Sequence, residues 1–345
     1  MDGAHLVSTT NWIGARLEFL TRRLRGFKPD NFIERVNAVS EQHNKPKPVI
    51  AFDMLWSAAF KDTAFQDYVD WDYAMLTKNE RKTFMTHPLS NHLAVQFNQE
   101  GHREIFQDKI DFNRKFDKYL RRAWADIREL DDDQLRAFLE PFDAIIGKVP
   151  FSNSGHGVSR YEKSEWQDIA AFRKRLEEAG ELLLEEQIQQ HVDLAAVCPG
   201  TANTTRVTAF FDGKDVHIIT MAQKFGRGQV SDQQTFGGFY TMLDLDGHAL
   251  SRGYDSHDNV YETHPESGAS IVDFQLPDVD KLKEMVDEVA RVVPEVPYVG
   301  WDYVMGPDGP ILVEGNWGVG VYENKPSVTG VRHGNRARFR RFMNF

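Results

Sequence analysis

At 345 residues the chain exceeds one average domain, and 41% hydrophobic content with 24 Phe and 7 Trp is ample for packed cores, so global disorder is excluded. The single cysteine, Cys198, excludes an intrachain disulfide and a Cys-rich zinc site and fits a reducing compartment. A formal charge of −11 argues against a general nucleic-acid binder. The N-terminus lacks a basic region followed by an apolar run, and no stretch approaches the roughly 20 apolar residues of a membrane span. A cytoplasmic protein without integral membrane association is expected.

Three regions separate along the chain, expected at 1–104, 105–190 and 191–345. The first reads as mostly helical and aromatic. "NFIERVNAVSEQ" has helical spacing at Phe32, Ile33, Val36 and Val39, "KPKP" at 45–48 breaks the pattern, and "TKNERKTF" opens with a capping box, Thr77 and Glu80. The second alternates helix and strand. "DDDQLRAFLEPF" reads as helix, "DAIIGKV" as strand, and "SEWQDIAAFRKRLEEAGE" as an amphipathic helix closing on Gly180. The third carries the strands "TRVTAFF", "VHIITMAQ" and "FYTML", then the helix "VDKLKEMVDEVARVV" and a hairpin, "VGWDYVMGPDGPILVEGNWGVG". The C-terminal "VRHGNRARFRRFMNF" is locally basic and reads as a solvated or docked terminal segment.

The hairpin is the most informative stretch. With a loop at Pro307-Asp308-Gly309, residue 306 faces 310, 304 faces 312, and Asp302 faces Glu314. Asn316 then lies on the same face. Two adjacent carboxylates repel unless a proton or cation sits between them, so Asp302, Glu314 and Asn316 are candidate metal ligands. A second stretch, "IIGKVPFSNSGHGVSRYE" at 145–162, delivers Lys148 on a strand and follows it with a small, flexible loop from Ser152 to Gly157. Such loops admit phosphate oxygens to backbone N–H groups, and the lysine adds a charge. Alone it reads equally as an ordinary strand-to-strand loop in which His156 is solvated. "GxxxxGK[ST]", "GxGxxG" and "GxSxG" are all absent. "ELLLEEQIQQH" could be a hinge at Glu185 to Ile188 offering backbone groups to a purine edge, with His191 or Asp193 as ribose candidates, or merely a strand end. Arg206, Lys224 and Arg227 could serve transferring oxygens or be surface residues.

The ordered series of lysine, lysine with loop, acidic hinge, strand arginine, and Asp with Glu-x-Asn resembles the ATP-grasp superfamily. It is most similar to the sugar-transfer-associated, hexapeptide-transferase-like branch, on "DMLWSAAFKDTAFQDYVDWDY", "NERKTFMT", "FQDKIDF", "CPGTANTTRV", "SDQQTFGG", "HPESG" and the hairpin. The resemblance spans about 50–330, with 145–320 the more specific part. It implies an α+β fold in which two antiparallel-sheet lobes enclose ATP, preceded by a mostly helical extension. Lys109 and Lys148 would hold phosphates. Ser152, Ser154, Gly155 and Gly157 would belong to the lid. Glu185, Glu186 and Ile188 would flank adenine and ribose. Asp302, Glu314 and Asn316 would bind Mg²⁺, two ions or alternatively Mn²⁺. The implied reaction is a carboxylate–amine ligation through an acyl phosphate, with Arg206 assisted by Lys224 or Arg227, in cell-surface polysaccharide or peptide assembly. "TANT" and Ser231-Asp232-Gln233 depart from the branch's usual pattern and leave the small-molecule acid and amine open. A phosphotransferase on the same fold, or a nucleotide-binding protein with a dead site, remains an alternative.

Overall fold

A computed structural model describes residues 28–152, 156–229, 231–257 and 259–345. They divide into two compact units, the first ending at Thr77 and the second running from Lys78 to Phe345. In the first unit, α1 (Pro29–Gln42), α2 (Lys47–Phe60) and α3 (Phe65–Asp70) follow one another. Pro29 opens α1, where its missing N–H costs nothing, and the helix buries Val36 and Val39. The chain restarts inside "KPKP" as α2, with Pro46 at the N-cap and Lys47 its first residue, and this helix buries Ile50 and Met54. The Tyr68 hydroxyl donates to Asp53 at 2.6 Å and joins α3 to α2.

The second unit starts with a difference from the expected pattern. The helix of "TKNERKTF" runs only from Lys78 to Arg81. The Thr83 hydroxyl takes the Glu80 carbonyl at 2.6 Å, so a side chain competes for the acceptor that helix growth needs. After α4 (His87–Phe97) and α5 (Lys109–Leu120) come two sheets, with antiparallel pairing between every pair of neighbouring strands. The smaller has four strands in the order β1-β4-β2-β3, formed by β1 (Trp124–Asp126), β2 (Ala144–Lys148), β3 (Val158–Glu162) and β4 (Leu183–Glu186). The helices α6 (Asp132–Leu139) and α7 (Ile169–Ala179) cover it, packing Leu135, Phe172 and Leu176 on Ile145 and Leu184. Asp131 and Gln134 form a capping box at the start of α6, and α7 closes on Gly180.

The larger sheet has the order β11-β10-β5-β6-β7-β8-β9. Its strands are β5 (Thr205–Phe211), β6 (Val216–Phe225), β7 (Phe239–Leu243), β8 (Gly253–Tyr254), β9 (Val260–Tyr261), β10 (Tyr298–Gly306) and β11 (Gly309–Asn316). One face packs on α5 through Phe112, Phe116 and Leu120, and on α8 (Val279–Ala290) through Leu282, Val286 and Val289. The C-terminal helix Arg336–Phe342 is docked, not solvated. Phe339 is buried edge-on to Tyr298, and Phe342 stacks on His217 with centroids 4.1 Å apart.

The β10–β11 hairpin corrects part of the expected register. Only Pro307 and Asp308 form the loop, because Gly309 adopts φ +119°, open to glycine, and pairs with Gly306. Val304 therefore faces Ile311, and Tyr303 faces Leu312, one residue off the expected pattern. A bulge then leaves Val313 unmatched and restores the pairing of Asp302 with Glu314. The acidic pair stands where the sequence placed it, but the bulge puts it there.

Candidate functional site

A cleft of about 1120 Å³, open solvent at its mouth included, runs between the two sheets. Lys148 on β2 and Lys109 at the start of α5 line it, with Lys224, Asp302 and Glu314 of the larger sheet. A side recess of about 430 Å³ brings Lys109, Lys148 and Ser152 opposite Glu314 and Asn316.

The lysine wall is built around one buried carboxylate. Arg122 donates Nε and Nη2 to the two Glu185 oxygens at 3.0 Å each. Asn113 adds a bond at 2.8 Å, and Lys148 Nζ one at 2.6 Å. Burial opposes the charge on Glu185, but Arg122 and Lys148 outweigh it and hold the carboxyl well below its ordinary range. Glu185 was expected beside adenine; its carboxylate is turned to Arg122, Lys148 and Asn113, where it fixes the lysine. Lys109 is the first residue of α5, whose N-cap Asp108 accepts from Ile110 N at 2.8 Å. Its Nζ bonds the carbonyl and, at 3.0 Å, the hydroxyl of Ser152, tying the helix to the β2–β3 loop. Burial, with help from Lys148, lowers its pKa against the opposing pull of Glu314.

The opposite wall is a row across three adjacent strands. Glu314 on β11 is the register partner of Asp302 on β10, and Asp302 is the partner of Arg206 on β5. Arg206 donates Nε and Nη2 to the two Asp302 oxygens, both at 2.8 Å, and Lys224 Nζ stands 3.5 Å from Asp302 and from Asp232. These cations answer the repulsion between the paired acids. Burial would raise the Asp302 pKa, yet Arg206 and Lys224 bring it down to about 2. Lys224 is raised, because Asp232 and Asp302 overcome its desolvation, so it stays charged in the cleft. Room for the guanidinium comes from Gly300, where a Cβ would meet Arg206 Nη1 at 2.9 Å. Asp232 is in turn fixed by the Thr204 N–H at 2.8 Å and the Thr204 hydroxyl at 2.6 Å.

The Asp302, Glu314 and Asn316 set has the chemistry of a hard-cation site. Asn316 Nδ2 lies 3.2 Å from Glu314 Oε1 and 3.5 Å from Asp302 Oδ2. Turning that amide would present its oxygen and make an all-oxygen donor set, the kind Mg²⁺ takes. Among the described residues no cluster of three or more His, Cys, Asp or Glu could hold a metal alone. Phosphate or water would have to complete the shell. The residues present therefore fit Mg²⁺ with a nucleotide.

Other expected residues divide. Ser152, Glu186, Ile188 and the loop residue His156 line the cleft. Gly157, at φ +65°, accepts from Val149 N at 2.8 Å at the far end of the loop. Ser154 and Gly155 lie outside the described residues. His191 and Asp193 are not brought to the cleft. His191 caps the short helix Val192–Val197 by accepting from Asp193 N at 3.3 Å, and Asp193 borders a separate hollow beside Gln275 and Lys281. Gln190 borders the cleft instead, with its amide donating to the Thr201 carbonyl at 2.6 Å and accepting from Asn203 N at 2.8 Å. Arg227 points away and pairs with Glu266 at 2.8 Å, half exposed. Arg206 sits behind Asp302 and does not line the cleft. Sequence reasoning missed Arg122, Asn113 and Thr204, and gave Asp232 no role. Nothing local marks Arg122 and Asn113. Thr204 and Asp232 stand in the two segments, "TANT" and Ser231-Asp232-Gln233, that depart from the family pattern.

Residues 171–333 match the family model described as sugar-transfer associated ATP-grasp. The resemblance expected from the motifs is met over that segment. A search of curated proteins finds no match. Among solved structures, the chain is similar to D-cycloserine synthetase DcsG at 14% identity, over 72% of this chain and 73% of that one, with a TM-score of 0.42. It is similar to D-alanyl-alanine synthetase A from Vibrio cholerae O1 biovar eltor at 14% identity, over 68% and 62%, with a TM-score of 0.39. It is also similar to the ATP-grasp ligase PsnB, solved with a minimal precursor, at 15% identity and a TM-score of 0.39, over 68% of this chain and 58% of PsnB. The chain thus spans under two thirds of PsnB's length. Similarity this distant assigns no chemistry to the chain. No helix among the described residues is long and apolar enough to cross a membrane.

Proposed function

We propose that the cleft binds ATP and that the protein is an ATP-dependent ligase joining a carboxylate to an amine. The observation that carries the reading is the recess in which Lys109 and Lys148 face Glu314 and Asn316. A cationic wall opposite a hard-oxygen wall suits a polyphosphate with its divalent cation. The match to the ATP-grasp family model over 171–333 supports the same nucleotide.

In this reading the phosphates lie along Lys109 and Lys148, with Ser152 beside them and the base toward Glu186 and Ile188. Glu314, Asn316 and Asp302 would hold Mg²⁺, which supplies charge neutralisation at the β- and γ-phosphates. A substrate carboxylate oxygen attacks the γ-phosphorus, the bond to the bridging oxygen breaks, and ADP leaves. The amine nitrogen then bonds the carbonyl carbon of the acyl phosphate, inorganic phosphate departs, and the nitrogen loses a proton. Lys224 faces the cleft and stabilises charge on the transferring oxygens. Arg206 acts one layer back, holding Asp302 in position. Assembly of cell-surface polysaccharide or peptide is the proposed setting, a reading supported by the description of the family model, sugar-transfer associated ATP-grasp.

Hydroxylamine is the test. With ATP, Mg²⁺ and the correct acid it should intercept the acyl phosphate as a hydroxamate without the natural amine. A phosphorylated alcohol product, inert to hydroxylamine, would make the protein a kinase and sink the ligase reading.

A further inference from the structure

The nucleotide cleft does not end at Lys224. A second hollow of about 450 Å³, open solvent included, lies beyond it and shares Lys224, Asp232 and Gln233 with the cleft. The two spaces adjoin at these three residues. Past that junction the lining turns aromatic, with Phe239, Tyr240 and Tyr322.

These walls are fixed. Tyr240 and Tyr322 stand perpendicular, at 88° with centroids 4.8 Å apart. The Tyr240 hydroxyl donates to the Glu323 carbonyl at 3.3 Å, and the neighbouring Tyr254 hydroxyl to the same carbonyl at 2.6 Å. Tyr240 therefore has its hydroxyl anchored inside the protein. The Arg206 guanidinium lies over the Tyr322 ring, 5.6 Å from its centroid, and braces it. Aromatic walls at a right angle favour a ligand with a flat or ring-shaped body over a flexible chain, because ring contacts need no rotamer freezing on either side.

Polar demands narrow the class. Lys224 lines both the hollow and the cleft, with its ammonium 3.5 Å from Asp232 and from Asp302, and offers a cation to a carboxylate. Gln234 borders the hollow, and its side-chain oxygen is buried without a hydrogen-bond partner. A buried unmet acceptor calls for an N–H or O–H donor. We infer that the hollow formed by Tyr240, Tyr322 and Gln234 behind Lys224 is the acid subsite, and that it takes a hydroxylated cyclic carboxylic acid whose carboxylate meets Lys224. The inference rests on the ligase reading of the adjoining cleft and names its acid.

Direct binding tests it without turnover. Calorimetry on the full chain would use 4-hydroxybenzoate, quinate and glucuronate, with succinate as the open-chain control. The first separates an aromatic ring from the two saturated ones. At least one ring acid should bind tenfold or more tighter than succinate. Tyr322→Ala and Gln234→Leu should weaken that acid at least tenfold. Thr235→Trp, made at an exposed position on the rim, should block it without disturbing the core. ATP affinity should stay within twofold in all three variants. Equal binding of succinate, absence of ring-acid binding up to 10 mM (about the weakest useful affinity on this scale), or ring-acid affinity unmoved by Tyr322→Ala and Thr235→Trp would each overturn the subsite. Loss of ATP binding from the wild type would instead break the nucleotide reading, a separate result.

Discussion

The two walls of the cleft are built from the same residue types to opposite ends. The lysine wall gathers Lys109, Lys148 and Arg122 around the single carboxylate of Glu185. The hairpin wall sets Arg206 and Lys224 among Asp302, Asp232 and Glu314. One side carries surplus positive charge and the other surplus negative. The bonds differ too. Every contact of Glu185 is tight, whereas Asn316 reaches Glu314 and Asp302 only at 3.2 and 3.5 Å. A satisfied cluster positions its lysine in advance. Glu314 and Asn316, only loosely bonded to each other, leave ligand positions open for a cation. The pairing is what a polyphosphate with its divalent ions requires.

The largest effect that tests this contrast is on rate. Glu314→Gln keeps size but removes charge from the cation-holding side. Turnover by ADP release should fall by roughly 10²–10³-fold, the scale for deleting one electrostatic stabiliser, with the melting curve unchanged because Glu314 is only half buried. Near wild-type activity at low millimolar Mg²⁺ would remove the metal assignment.

On the lysine wall the same kind of deletion should hit stability. Glu185→Ala leaves Arg122 buried without its counter-charge, and chemical denaturation should register a loss of about 3–5 kcal/mol. A loss no greater than that of an exposed pair would show the cluster to be dispensable. Lys148→Ala should act on ligand instead, weakening ATP binding by roughly 1.5–3 kcal/mol, as one charge-assisted bond does. Unchanged affinity in calorimetry would move the phosphates elsewhere.

Acid should erode both walls together. Asp302, held near 2, and Glu185, held low, stay ionised in the fold while unfolded carboxyls take up protons near 4. The unfolded state then binds more protons, so the stability these groups give is complete above about pH 4 and is lost as pH falls toward 2. Urea midpoints should drop across that window. Asp302→Asn should start lower at neutral pH and fall less steeply. The smallest effect belongs to Arg227→Ala. Its partner Glu266 is exposed and neither lies in the cleft, so activity should change less than twofold.

Much of this site was legible because its signals are local. Alternation placed Lys148 at the end of β2, and turn chemistry placed a hairpin at "GPDGP". The helix read at "DDDQLRAFLEPF" is α6, and Gly180 ends α7. The Asp302–Glu314 pairing was also legible, although its derivation passed over the bulge at Val313. The ribose candidates His191 and Asp193 lie off the cleft for a plainer reason. In "QIQQH" the choice between Gln190 and His191 depends on how the chain turns out of β4, which no periodicity encodes.

By itself, then, the sequence determined the strands β2, β4, β5, β6 and β7, the hairpin, the lysine, the acidic pair and the order in which they occur, since each depends on neighbours a few residues away. Only the tertiary structure decided which charges meet. Arg206 and Asp302 are 96 residues apart, and they are partners because β5 lies beside β10 with Val207, Trp301 and Tyr303 seated in one core. Arg122 reaches Glu185 because the chain leaves α5 through Arg121 at a positive φ of 45°. Inter-strand register and helix exit direction are fixed by the burial of distant apolar side chains, and a charge takes the partner that this packing brings within reach.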